Sequence, residues 1–170
     1  MGSGLGVYSL MGLGNYLPTS PQVAQGTRPG NLDAWCRQFL GFEDPAVVSG
    51  SGSYSLAPLS RGGSALKVWK NGQPGNEYFL VENRVREGPD EFLPGEGLMI
   101  YHVDDTLIDN CRDCDLVSCL DPPAPHYRVA LVQADGLAQL ESPTGNYGDP
   151  ADVFPGSLAK RSWTESTTPS

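Results

Sequence analysis

Glycine and proline interrupt this chain throughout: 21 and 15 of its 170 residues, about a fifth, against the roughly 12% of ordinary usage. Glycine weakens a helix through its conformational freedom, and proline removes a backbone donor and clashes with the preceding turn. A chain so punctuated is confined to short strands joined by many turns. The predicted class is α+β, mainly β: a twisted antiparallel or mixed sheet with one firm helix and many Gly/Pro-rich loops.

The local patterns fill in that outline. Residues 1–30 read as loop around one apolar patch. The helix is predicted over 31–41, with Asn31 able to accept from the orphan N–H groups and Asp33 favouring the positive end of the dipole. Leu32, Trp35, Cys36, Phe39 and Leu40 fall on one stripe, which predicts the buried face, and Gly41 is placed to end the helix in the left-handed conformation. Tyr54 and Leu56 alternate with serines and read as a strand, as do Leu66 and Val68 beside Lys67 and Trp69. The runs Tyr78–Val81 and Leu98–Tyr101 are apolar on both faces, which suits central strands. Arg128–Gln133 is a further strand before the Asp135-Gly136 turn, and the tail from Glu141 is turn-rich, with Trp163–Ser170 expected to be unpaired. The chain thus reads as one partial domain, with a loop region 1–30, a helix 31–41, a β-rich lobe 53–134 and an acidic, turn-rich tail 141–170.

Charge narrows the function classes. Eleven basic against 20 acidic side chains give a net charge of −9, which argues against nucleic acid as a partner and against docking on an anionic membrane. No apolar run approaches the ~18 residues of a membrane span. The first residues lack the basic start and apolar run of a signal peptide.

Three groups of residues can carry chemistry. Asp104, Asp105, Asp109, Asp113, Asp115 and Asp121 follow one strand closely, and Asn146-Tyr147-Gly148-Asp149-Pro150-Ala151-Asp152 is a second oxygen-rich stretch. Oxygen-only clusters suit calcium, although no EF-hand spacing is present, and a solvated acidic loop is the alternative. Cys111, Cys114, Cys119 and His126 have the spacing C-x2-C-x4-C-x6-H. That set admits disulfides of a secreted protein, a structural zinc or free thiols, and Cys36 on the helix reads as a buried small hydrophobe. The only histidines, His102 and His126, form no H-E-x-x-H pair. His102 reads as a hydrogen-bonded residue of its strand. Glu82 reads as a buried carboxylate tied to Arg84 or to backbone rather than as a general base, and Gly50-Ser51-Gly52 is only a broken nucleophile elbow.

Several segments, in order along nearly the whole chain, resemble the immune-inhibitor-A-like family of secreted bacterial zinc metallopeptidases. They are Gly6-Val7-Tyr8-Ser9-Leu10-Met11-Gly12, Asn31-Leu32-Asp33-Ala34-Trp35-Cys36 running into Leu40-Gly41-Phe42, and Glu77–Arg84. Pro94–Asp104, Val132-Gln133-Ala134-Asp135-Gly136 and Gly148–Gly156 complete the set. The resemblance implies a catalytic helix bearing H-E-x-x-H just upstream of Gly2, whose histidines bind zinc and whose Glu activates water for attack on a protein or peptide substrate. The zinc ligands and catalytic residues therefore lie outside this chain. What it supplies is the turn around Met11, which in such enzymes supports the zinc site from beneath. An ordinary buried, gap-filling Met11 is the alternative.

On this resemblance the chain is the lobe following the catalytic helix of a secreted, calcium-stabilised peptidase, inactive alone, with Asp104, Asp105, Asp149 and Asp152 as calcium ligands. A truncated gene, an alternative start at Met1 and a degenerate copy are all compatible with it. A non-enzymatic secreted calcium-binding β module is the competing reading, and a small zinc-ribbon-like protein a third.

Overall fold

The computed structural model describes residues 4–17, 23–108, 110, 127–142 and 144–164. Helix α1 spans Ala34–Phe39; the strands are β1 (Ala46–Val47), β2 (Leu66–Trp69), β3 (Glu77–Arg84), β4 (Gly97–Asp104), β5 (Val129–Leu131) and β6 (Phe154–Pro155). They form one six-stranded sheet in the order β1-β2-β3-β4-β5, with β6 also pairing β4. β1 runs parallel to β2 and all other pairings are antiparallel. The chain is thus α+β, mainly β, with a mixed sheet and, among the described residues, one α-helix. That helix is too short to cross a membrane.

The two runs apolar on both faces are the centre of the sheet, because both of their faces are covered. Tyr78, Leu80, Glu82 and Arg84 of β3 alternate inward and pair with Val103, Tyr101, Met99 and Gly97 of β4. This face carries the main core, which includes Leu5, Tyr8, Leu17, Leu93, Val129, Leu131 and Leu140. Each fully buried large apolar side chain contributes roughly 1.5–3 kcal/mol. The opposite face holds a smaller cluster of Ile100, Val132, Ala134 and Phe154, packed with Phe79, Val81 and Trp163. Trp163, expected to be unpaired, meets Phe79 edge-on with ring centroids 4.7 Å apart.

The helix is shorter than predicted and buries only part of the predicted stripe: Cys36 is buried and Trp35 packs against the core. Asp33 is its N-cap, with Oδ1 accepting from the Cys36 N–H at 2.9 Å. Asn31 instead gives its backbone and side-chain N–H groups to Asp90, both at 2.9 Å. Ala34, Cys36 and Arg37 are buried, whereas Phe39 and Leu40 of the predicted stripe are 66% and 52% exposed. A charged residue displaces part of the apolar stripe because its partners wait on the sheet: Arg37 Nη2 meets Glu82 at 2.7 Å and Nε meets Glu43 at 2.6 Å. Gly41 does adopt φ +73° after the helix.

Two further expectations are corrected. Tyr54 and Leu56 belong to no strand; the alternation is present, but a ladder needs a partner, and only Pro58 bridges to Asn83 there. The sheet also exceeds the 53–134 lobe, since β1 begins at Ala46 and β6 ends at Pro155.

The segment 4–17 lies directly on the 147–149 stretch. The Val7 N–H donates to the Tyr147 carbonyl at 2.8 Å, and the Leu131 N–H donates to the Gly4 carbonyl at 2.7 Å. Glycine is required on both sides of this contact. Gly6 has φ +50°, and a Cβ there would collide with the Tyr147 carbonyl; Gly148 has φ +134°, and a Cβ there would stand 2.8 Å from Val7 Cγ2.

Candidate functional site

The oxygen-rich stretch and the turn after β5 converge. One carboxylate oxygen from each of Asp135, Asp149 and Asp152 lies within 4.8 Å of one from each of the others. Ala134, just beyond β5, donates its N–H to the Asp152 carbonyl at 2.9 Å, which holds the two loops side by side. The Asp149 N–H donates to Asp152 Oδ2 at 2.7 Å, and Asp149 accepts from the Ala151 N–H at 2.7 Å and from Asn146 Nδ2 at 2.6 Å. The Leu137 N–H donates to Asp135 Oδ1 at 2.9 Å.

The electrostatics of this group are one-sided. Asp152 is fully buried, and its Oδ1 has no hydrogen-bond partner. Such an acceptor costs about 1–3 kcal/mol when nothing meets it. Burial, aided by the charges of Asp149, Asp135 and Glu141, pushes the Asp152 carboxyl up to about 7. Among the described residues no Lys or Arg pairs with any of the three. The Lys160 ammonium donates instead to the Ala134 carbonyl at 2.6 Å. Residues of this type, in this arrangement, can hold a hard cation such as calcium: every donor is oxygen, and the buried oxygen lacks only a positive charge.

Of the four residues predicted to bind calcium, the structure gathers Asp149 and Asp152 but not Asp104 and Asp105. These sit at the opposite end of β4, where Asp104 pairs with Glu77, while β6 pairs with Gly97 and Leu98. Asp105 has its own partners: the Tyr78 hydroxyl at 2.9 Å, Arg128 Nη2 at 3.3 Å and Trp35 Nε1 at 3.4 Å. Asp104 Oδ1 accepts from the N–H and hydroxyl of Thr106. Asp135 was missed because an Asp-Gly pair after a strand reads first as a turn; its position between two acidic stretches was the available signal.

Met11 is 70% exposed, so it fills no gap in the core. Its turn is nonetheless firmly held. The Ser9 carbonyl accepts from the N–H groups of Gly12 and Gly14. Ser9 Oγ accepts from the Met11 N–H at 3.1 Å and donates to the buried Asp33 at 2.5 Å. Beside the turn lies a groove of about 400 Å³ lined by Val7, Leu13, Tyr16, Gln25 and Tyr147. Cys111, Cys114, Cys119 and His126, with Asp109, Asp113, Asp115 and Asp121, lie outside the described residues. Cys36 is a buried free thiol, and burial and Asp33 raise its pKa well above the ordinary range, so it stays a neutral, inert thiol. His102 Nε2 lies 2.8 Å from Glu77.

A second charged group occupies the interior under the Met11 turn. Glu82 accepts from Arg37 and from the Tyr101 hydroxyl, each at 2.7 Å, and lies 3.7 Å from Arg84. Arg84 is fully buried and forks onto both oxygens of Asp90 while donating to the Tyr8 carbonyl. Burial opposes the Asp90 charge, but the hydrogen bonds from Arg84 and Asn31 hold its carboxyl below the usual range. Glu82, expected to be tied to Arg84 or to backbone, takes its hydrogen bonds instead from Arg37 and Tyr101, with Arg84 as a more distant ion-pair partner.

Compared with known proteins, the chain matches no family model, no curated protein and no solved structure. Among the described residues the one group of three potential ligands is all-aspartate, with no His or Cys donor of the kind that predominates at zinc centres.

Proposed function

We propose that this chain is a supporting lobe of a secreted zinc metallopeptidase of the immune-inhibitor-A-like kind, inactive by itself, with protein or peptide as the substrate of the intact enzyme. The observation that carries this reading is the Met11 turn: fixed from below through Ser9 and Asp33, it turns an exposed thioether outward beside an apolar groove. A rigid, apolar pedestal of this kind serves to seat another element, and in this reading that element is the zinc-bearing helix. No catalytic step is assigned to residues of this chain.

The coding sequence immediately before Met1 tests the proposal. An H-E-x-x-H within a few tens of residues supports it, and cleavage by the longer product then drops when Met11 is replaced by Ala. Chelator-sensitive peptide cleavage by the present chain alone, supplied with zinc, would overturn it.

A second reading, a non-enzymatic secreted calcium-binding module, is favoured by a different observation: three clustered carboxylates, one of them buried and unpartnered. It needs no residue beyond those present. Absence of any calcium effect on thermal stability removes it.

A further inference from the structure

We propose that Asp135, Asp149 and Asp152 form a calcium site, and that the ion bound there locks residues 4–17 onto the sheet. The inference rests on the calcium reading above and not on the peptidase one; it names the ligands and gives the ion a task.

Three observations carry the site. The carboxylates come from two separate loops and no cationic side chain among the described residues pairs with them, so their mutual repulsion is offset by an ion, or in its absence by a proton or solvent. Asp152 Oδ1 is enclosed and unpartnered within this group, whereas Oδ2 already accepts from the Asp149 N–H. The three donor atoms lie within 4.8 Å of one another, close enough to share one ion, and an all-oxygen donor set is the kind calcium takes.

The lock follows from what the same loop does on its other side. Residues 147–149 are the shelf on which segment 4–17 rests: the Tyr147 carbonyl accepts from Val7, and the Asp149 carbonyl accepts from the Tyr8 hydroxyl. Gly148 lies against the side chains of both Val7 and Tyr8. An ion that draws Asp149 and Asp152 toward Asp135 fixes the position of this shelf. Without it, repulsion among the carboxylates loosens the loop and, through it, the segment that carries Met11.

The test uses the whole chain, stripped of metal by a chelator and titrated with calcium chloride. Binding is followed by calorimetry, stability by thermal melts, and the lock by hydrogen exchange at the Val7 amide. The expected result is one calcium bound per chain, a rise in Tm and slower Val7 exchange. Asp152→Asn folds without calcium but binds it about tenfold or more weakly; Asp135→Asn, a change on a half-exposed loop, weakens binding in the same sense and stands in if the first variant misfolds. No heat and no shift of Tm at about 10 mM calcium, above the range of weak extracellular sites, overturns both the calcium reading and this inference. Undiminished binding in both variants leaves calcium binding intact and overturns the site. Binding that is lost in the variants but never alters Val7 exchange overturns the lock. An equal response to magnesium overturns the choice of ion.

Discussion

Two groups of buried charge lie within this fold, and they are built oppositely. Around Arg84, two guanidinium groups are interleaved with Glu82, Glu43 and Asp90, and every carboxylate is met by an arginine. Around Asp152, three carboxylates face one another and an oxygen is left unmet. Taking charge out of water is costly in both places. A group that carries its own counter-charges is finished architecture, while one that lacks them is open to an ion from solution.

The contrast is broken most forcefully at Arg84. Arg84→Met strands Asp90 and weakens the setting of Glu82, and is expected to cost about 3–5 kcal/mol in urea unfolding. Arg84→Lys does not restore it, since a single ammonium cannot span both Asp90 oxygens and the Tyr8 carbonyl. An undiminished unfolding midpoint in either variant would show that the network is not a keystone. Removing a charge from the other group has the opposite sign: in chelator at neutral pH, Asp152→Asn leaves Tm unchanged or higher.

Asp152 and Asp90 also separate by pH. With its carboxyl raised to about 7, Asp152 in the ion-free fold holds a proton that the unfolded chain releases. The stability this lends is full below about pH 4 and is lost as pH rises through 7. Asp90, held below its ordinary range, contributes stability that is present above about pH 4 and lost in stronger acid. Melts in chelator should therefore fall in Tm between pH 5 and pH 8, a slope reduced in Asp152→Asn to what the likewise raised carboxyls of Glu82 and Glu141 contribute; a slope equal in parent and variant contradicts the account of Asp152. Asp135, Asp149, Glu141, the Tyr8 phenol and Lys160 are the other titratable groups around that loop, and Asp152→Asn isolates the one at issue.

Smaller effects sharpen the same boundary. Asp105→Ala removes the acceptor for Tyr78, Arg128 and Trp35 and is expected to cost about 1 kcal/mol without changing calcium affinity. Weakened calcium binding would return Asp105 to the site. The least effect is expected at Ala138, in the loop after Asp135, which holds φ +51°. Ala138→Gly relieves the left-handed conformation and should stabilise by roughly 0.5–1 kcal/mol in urea unfolding.

What the sequence discloses depends on whether partners are near in the chain. The central strands were legible because Tyr78–Val81 and Leu98–Tyr101 state their two-sided burial in their own residues. The helix was legible as a helix, but its orientation was not: Phe39 and Leu40 read as core, while the partners that draw Arg37 inward, Glu82 and Glu43, are distant or across a turn. The acidic stretch at 146–152 was legible as oxygen-rich, but its third carboxylate, Asp135, arrives only through the pairing of β5 and β6 along β4. An oxygen without a partner has no signature in composition at all.

The brevity of the outer strands has a consequence for self-association. Sheets add strands at their margins, and here one margin is the two-residue β1 and the other is shared by the two-residue β6 and the three-residue β5, which is itself covered where Leu131 donates to Gly4. The long strands, whose apolar runs would be the most adhesive segments of the chain, lie in the middle with neighbours on both sides. Among the described residues these margins offer a second molecule only short stretches of backbone, an arrangement that disfavours edge-to-edge pairing. That protection depends on β1 staying in place, because β1 covers Leu66 and Lys67 of β2.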